Sequence, residues 1–233
     1  MSLSTTARVA ILLFTRSAGE EGARKRFLSH GTRADNAAVA ARLIDHATAT
    51  AHRAGVDVVC VDSTQQAGGT FGQRLTGAVR ATFARGYDHL LIIGNDCPQL
   101  SEALLRQAVA AVQATGAVLG PATDGGVYLL GVSRTLFDQG VGQGLPWQTR
   151  HLSAALRRQL RQLEAVVHQL PVLADIDDEA GLAGVLRQSL VHTLHRSLHR
   201  LRTAGRRRRR PCGTPAGTRR VVATCPHRGP PAN

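Results

Sequence analysis

The sequence predicts an α/β layered fold with a mainly parallel sheet, and three observations carry that prediction. Short apolar runs rich in branched residues, 9–14 (VAILLF) and 89–93 (HLLII), read as buried strands. Ala-rich segments that suit helices lie between such runs. Strand and helix alternate at the spacing of βαβ units. The chain has 233 residues and is 43% hydrophobic, which excludes a wholly disordered protein. A chain of this length hides roughly 70% of its unfolded surface.

Taken in order, residues 9–14 form the first strand, and a polar stretch over 15–31 follows. Asp35 or Asn36 caps a helix over about 37–53, which Gly55 ends. The second strand is 56–61, and a loop with Gly68, Gly69 and Gly72 leads into a helix over about 73–84. The third strand, 89–93, runs into Gly94-Asn95-Asp96-Cys97-Pro98. Ser101 caps a helix over 102–115 that Gly116 closes. A short fourth strand, 117–119, meets the turn-rich segment Gly120-Pro121-Ala122-Thr123-Asp124-Gly125-Gly126 before a fifth strand at 127–132. A helix over 152–163, a strand over 166–173 and a helix starting near Asp178 complete the pattern. Residues 185–201 keep helical periodicity, with Leu190, Val191, Leu194, Leu198 and Leu201 on one face and His192, His195 and His199 on another. No Cys or acid accompanies these histidines, so they read as a solvated face rather than a metal site.

The formal net charge of +13 invites a nucleic-acid or anionic-membrane reading until its position is examined. Residues 185–233 hold 12 arginines and no acid, whereas residues 1–184 hold the other 17 basic groups and all 16 acids. The chain is therefore divided into a nearly neutral domain, 1–204, and an Arg-rich tail, 205–233, expected to be disordered. The tail carries five successive arginines, Arg206 to Arg210, which suit non-specific, salt-sensitive polyanion binding. It lacks aromatics for base stacking. Cys60, Cys97, Cys212 and Cys225 show no disulfide framework, no run is long enough for a membrane span, and the N-terminus resembles no signal peptide. The expected compartment is the cytoplasm. Cys97 reads as a small packing residue.

In open α/β sheets ligands bind outside the carboxyl ends of the strands. Asp96 follows the third strand directly, and Asp124 lies between the fourth and fifth, before two glycines. A carboxylate there suits Mg2+ or Mn2+, which take one or two protein acids and complete their shell with water and phosphate oxygens. Both aspartates also suit plain turn or capping roles, and spacing alone supports either reading. The segment 66–75 (QAGGTFGQRL) opens a helix and could face an anion, but it is neither a Walker loop nor a dinucleotide fingerprint. The cluster Arg24-Lys25-Arg26 could clamp phosphate or be a solvated surface group.

Four blocks, GGTFGQRLTGAVRATFARGY (68–87), LLIIGNDCPQL (90–100), VLGPATDGGVYLLGV (118–132) and LPWQT (145–149), resemble a bacterial family of GT-A-like transferases, with a looser match at 173–182. That family, of the glycosyltransferase-like or radical-SAM/selenodomain-associated type, belongs to the nucleotide-diphospho-sugar transferase superfamily. The resemblance spans roughly residues 8–190. It implies a Rossmann-type α/β/α sandwich with a mixed, mainly parallel sheet. It also implies a metal site at Asp96 and puts Asp124 on the loop facing donor or acceptor, where Asp124 is expected to bind metal or act as the catalytic group on the acceptor hydroxyl. The residues implied for substrate are Arg16, Lys25, Arg26, Gly69, Gly72, Arg74, Asn95, Gly125, Gly126, Trp147 and Thr149.

Two features depart from the family pattern. The first loop of the family is close to Pro-x-x-Gly-x-x-Lys-Thr-Arg-Leu, whereas this chain reads Ser17-Ala18-Gly19-Glu20-Glu21-Gly22-Ala23-Arg24-Lys25-Arg26-Phe27. The acidic loop holds a single aspartate rather than Asp-x-Asp, leaving Asp124 or Asp177 to add a second ligand.

The function this implies is transfer of a sugar from a nucleotide-diphosphate-sugar donor to a small-molecule acceptor, with Mg2+ or Mn2+ on the diphosphate. One alternative is a nucleotidyltransferase joining a nucleoside triphosphate to a small phosphorylated substrate. Its usual Gly-rich loop after the first strand is absent, because Phe14-Thr15-Arg16-Ser17 stands there. Another alternative is a degenerate nucleotide-binding module whose tail binds polyanions.

Overall fold

The computed structural model describes residues 7–188 and 190–207. The described residues form, in chain order, β1 (Val9–Phe14), α1 (Ala18–Arg24), α2 (Arg33–Arg53), β2 (Asp57–Val61), α3 (Phe71–Phe83), β3 (His89–Ile93), α4 (Glu102–Thr115), β4 (Ala117–Pro121), β5 (Val127–Ser133), α5 (Arg134–Asp138), α6 (Leu152–Gln162), β6 (Val167–Gln169), α7 (Glu179–Val185) and α8 (His192–Arg207). The strands make one sheet in the order β2-β1-β3-β5-β4-β6. β5 is antiparallel to both of its neighbours, and the other pairings are parallel. The expected mixed, mainly parallel sheet is therefore present.

Every residue of β1 is buried, so the strand has no solvent face. Val9, Ile11 and Leu13 pack with α2 and α4 through Ala51, Leu105, Ala108 and Val112. Ala10, Leu12 and Phe14 point to the other face and meet Leu75, Val79 and Phe83 of α3 and Leu160 of α6. Each large side chain buried in this way stabilises the fold by roughly 1.5–3 kcal/mol. Helices on both faces make the α/β/α sandwich. A further cluster joins Val39, Ala40 and Leu43 of α2 to Leu182 and Val185 of α7 and to Leu194 and Leu198 of α8, so α2 is covered on two sides.

Several boundaries differ from the sequence expectation. Within the polar stretch 15–31, which carried no assigned element, α1 forms, capped by Ser17, whose side chain accepts from the Glu20 amide. Helix α2 starts earlier than expected because Thr32, not Asp35 or Asn36, is its cap. The Thr32 hydroxyl accepts from the Asp35 amide at 3.1 Å, and the Asp35 carboxylate accepts from the Thr32 amide at 2.9 Å. Asn36 instead pins the preceding loop through its bonds to Leu28 and Thr32. Helix α5 was not expected, and the strand expected over 166–173 shrinks to Val167–Gln169.

The helical periodicity over 185–201 is broken between α7 and α8. Val191 falls in this break and is exposed, unlike Leu194 and Leu198. Helix α8 continues to Arg207, past the expected start of the tail at residue 205, and the remainder of that tail lies outside the described residues. His192 and His199 are exposed, and His195 lies 3.0 Å from the Leu186 carbonyl. Cys60 and Cys97 are free thiols, and Cys97 is buried as expected for a packing residue. No helix among the described residues is long and apolar enough to cross a membrane.

Candidate functional site

The chain passes from β1 to β2 on one side and then to β3 on the other. That reversal opens a crevice at the carboxyl ends of β1 and β3. Because β5 runs the opposite way, its first residues meet the same edge. A cleft of about 510 Å3 lies there, lined by Thr15 and Arg16 after β1, Asn95 and Asp96 after β3, and Asp124 and Gly126 before β5. Lys25, Arg74, Trp147 and Thr149 also line it.

Of the remaining residues expected at the site, three glycines pack beside residues of this region and Arg26 does not reach the cleft lining. Gly69 accepts through its carbonyl from Arg74 Nη1 at 2.8 Å. Gly72 lies under Trp147, where an added Cβ would come within 2.7 Å of the indole ring. Gly125 has φ +89° and is pressed against the Arg150 carbonyl. Arg26 is exposed and its backbone bridges to Asp178, away from the cleft lining.

Asp175, which the sequence reading did not assign, completes the site beside Asp177. The chain after β6 continues parallel to the end of β4: the Thr123 amide donates to the Leu173 carbonyl at 3.0 Å, and the Ile176 amide donates to the Asp96 carbonyl at 2.9 Å. This carries Asp175-Ile176-Asp177 across the cleft, with Ile176 fully buried. Its two aspartates flank the anchoring Ile176, as alternation in an extended chain requires. Asp124, Asp175 and Asp177 then offer three carboxylate oxygens within 4.8 Å of one another. The Thr123 hydroxyl donates to Asp175 at 3.1 Å, and the Gly126 amide donates to Asp124 at 2.7 Å, so two of the acids are oriented. Asp96 is not in this group.

Asp96 is held instead by Lys25. The Lys25 ammonium lies 2.9 Å from Glu21 Oε1, 2.8 Å from Asp96 Oδ2 and 2.8 Å from Asp177 Oδ1. Glu21 is almost wholly buried, and its other oxygen meets Arg16 Nη1 at 3.0 Å. The second acid missed from the sequence is thus Glu21, hidden in the polar stretch 15–31. Burial alone would lower the Lys25 pKa, but Asp96, then Glu21 and Asp177, outweigh it and hold the proton above the ordinary lysine range. Three carboxylates can take all three ammonium hydrogens, so Lys25 is not a solvated surface group. Arg74 likewise spends donors on Gly69 and, at 3.3 Å, on Gln66.

Asn95 is buried and accepts from the Thr15 hydroxyl at 2.7 Å, while its Nδ2 has no partner among the described residues. Opposite the acids, Phe71 stands edge-on to Phe14 at 5.6 Å and tilts against Trp147 at 5.7 Å, forming an aromatic wall.

Burial, and after it the neighbouring Asp124 charge, push the Asp175 carboxyl above the usual aspartate range. A carboxyl raised in this way is charged at a cost to the fold at neutral pH, and that cost fades as pH falls through its pKa. Asp175→Asn keeps an acceptor for Thr123 and removes the repulsion. The ion-free variant is expected to melt higher, by about 2 °C, since partly exposed charges interact weakly. A calorimetric scan at neutral pH checks this, and a lower midpoint would contradict it.

The fold is an α/β/α sandwich whose mixed sheet gathers aspartates at one edge. The family model described as "Uncharacterized protein conserved in bacteria (DUF2064)" matches residues 28–149, and the chain belongs to that family. Among solved structures it is similar to a "putative nucleotide-diphospho-sugar transferase" from Desulfovibrio desulfuricans G20, with 22% identity over 87% of this chain and 98% of that one, at a TM-score of 0.76. That likeness shows the fold. Rv0371c from Mycobacterium tuberculosis H37Rv aligns at 19% identity over 79% of this chain and 100% of that one, with a TM-score of 0.46. A structure of the same protein in complex with manganese aligns at 19% identity over 78% of this chain and 100% of that one, also at 0.46. No curated protein matches the chain.

Proposed function

We propose that this protein is a cytoplasmic, metal-assisted transferase that takes a sugar from a nucleotide-diphosphate-sugar donor. The observation that carries this reading is the convergence of Asp124, Asp175 and Asp177 at the carboxyl edge of the sheet, inside the cleft. Three hard oxygen donors suit Mg2+ or Mn2+ and do not suit a thiophilic ion. The bound ion would neutralise the diphosphate leaving group. Asp124 and Asp175 are preset by Gly126 and Thr123, so the protein orients these ligands before any ion arrives. The Phe71 and Trp147 wall supplies an apolar surface for the nucleotide or acceptor, and Arg24 lines the same cleft as a cation for phosphate. Asp124, exposed and next to two glycines, is the group placed to orient or deprotonate an acceptor hydroxyl.

A thermal-shift panel of nucleotides and nucleotide sugars with Mn2+ tests the reading. Stabilisation by a nucleotide sugar that depends on Mn2+ is expected. Asp124→Asn should fold and lose affinity for the Mn2+–nucleotide-sugar pair by about tenfold. Release of nucleoside diphosphate from the stabilising donor supports sugar transfer. Release of pyrophosphate from a triphosphate would place the protein with nucleotidyltransferases instead.

A further inference from the structure

Lys25 is the one lysine among 29 Lys and Arg residues. Its ammonium is a compact point charge with three donors, unlike the planar guanidinium fork of arginine. Its nitrogen is ringed by carboxylate oxygens of Glu21, Asp96 and Asp177 at 2.8–2.9 Å, with the Ile176 carbonyl at 3.4 Å. An oxygen shell around a single point is how a hard cation is bound. Mg2+ would need these oxygens at about 2.1 Å, a contraction of less than about 1 Å each. Asp177 also belongs to the group Asp124, Asp175 and Asp177. One carboxylate therefore faces two cation positions, the arrangement by which paired ions are held side by side.

We propose that Lys25 is a resident second cation. It fills a second cation position next to the divalent-ion site and shares Asp177 with it, so the centre takes one divalent ion where its carboxylates could hold two. This rests on the divalent-ion reading of Asp124, Asp175 and Asp177. The ammonium is covalently tethered, so one of the two positive charges at the cleft does not depend on ion concentration. It also neutralises Asp96 and, together with Arg16, the buried Glu21, which would otherwise draw an ion into the wrong position.

The single lysine makes the test direct. Mn2+ titration calorimetry should give one ion per unaltered chain and one more for Lys25→Ala. In the unaltered chain labelled with 15N at the lysine Nζ, the side-chain ammonium gives one resonance. Saturating Mg2+ should leave it protected from water exchange, and Mn2+ should broaden it beyond detection by proximity. Should Lys25→Ala fail to fold, the resonance of the unaltered chain decides. The proposal is overturned if Mg2+ abolishes the protection, if the unaltered chain binds two Mn2+ ions, or if folded Lys25→Ala binds only one. No Mn2+ binding at all by the unaltered chain would refute the divalent-ion reading itself and this proposal with it.

Discussion

Asp177→Asn should weaken Mn2+ binding by about a hundredfold, close to 3 kcal/mol, the largest loss expected from any single carboxylate of the cluster. Asp177 acts in two ways at once. It is one of the three acids whose oxygens converge within 4.8 Å, and it is the partner of the Lys25 ammonium at 2.8 Å. Removing its charge takes a unit of attraction from the ion and leaves Lys25 a partner short, so the ammonium repels the ion with less compensation. Loss of groups that merely orient a ligand costs about 10–100-fold in metal affinity, and a shared ligand belongs at the upper end. The Asp177 side chain is 59% exposed, so the variant should fold normally. Calorimetric titration with Mn2+ reads the affinity, and the melting midpoint of the ion-free variant guards against misfolding. An affinity within threefold of the unaltered chain would remove Asp177 from the site.

What the sequence could and could not reveal follows from how local each determinant is. Helix α4 runs over the expected residues because its signals are adjacent in the chain: Ser101 caps it and Gly116 ends it with φ +76°. The third strand and Asp96 at its end were legible for the same reason, since an apolar run stops at a turn. Asp175 and Asp177 were harder. Their alternation about Ile176 is visible in the sequence, but only the backbone pairing with Asp96 and Thr123 brings them to the edge of β4. Lys25 shows the limit most clearly. Arg24-Lys25-Arg26 reads as a phosphate clamp or a solvated cluster, and the environment of Lys25 comes largely from acids 71 and 152 positions further along the chain. Helix α1 was hidden because two glycines and five polar or alanine residues carry no apolar stripe. Its stability is tertiary, from contact with α2. Thr32 lost to Asp35 in the sequence reading because a capping box contains both residues, and only geometry shows which is the cap.

Gly22→Ala is expected to destabilise the protein by about 3 kcal/mol or more, lowering the melting midpoint by roughly 6–12 °C. Helix α1 approaches α2 so closely at this point that a Cβ on Gly22 would lie 2.3 Å from the Ala37 amide nitrogen and 2.5 Å from its Cα. These are backbone atoms of the neighbouring helix, so no side-chain rotation relieves the clash. The helices must separate, and α1 carries Glu21 with it, while Lys25 follows directly at its end. Separation therefore also pulls the buried Glu21–Lys25–Asp96 network apart, which would leave charges without their compensating partners. Gly19 supplies the control within the same helix. A Cβ there meets nothing within 4 Å, and alanine favours helix over glycine by about 0.5–1 kcal/mol. Gly19→Ala should therefore match or slightly exceed the unaltered chain in stability. Denaturant unfolding of the two variants side by side separates helix propensity from contact. Equal midpoints would mean that α1 can slide on α2 at little cost, and that the position of Lys25 is set by its carboxylates rather than by the helix that presents it.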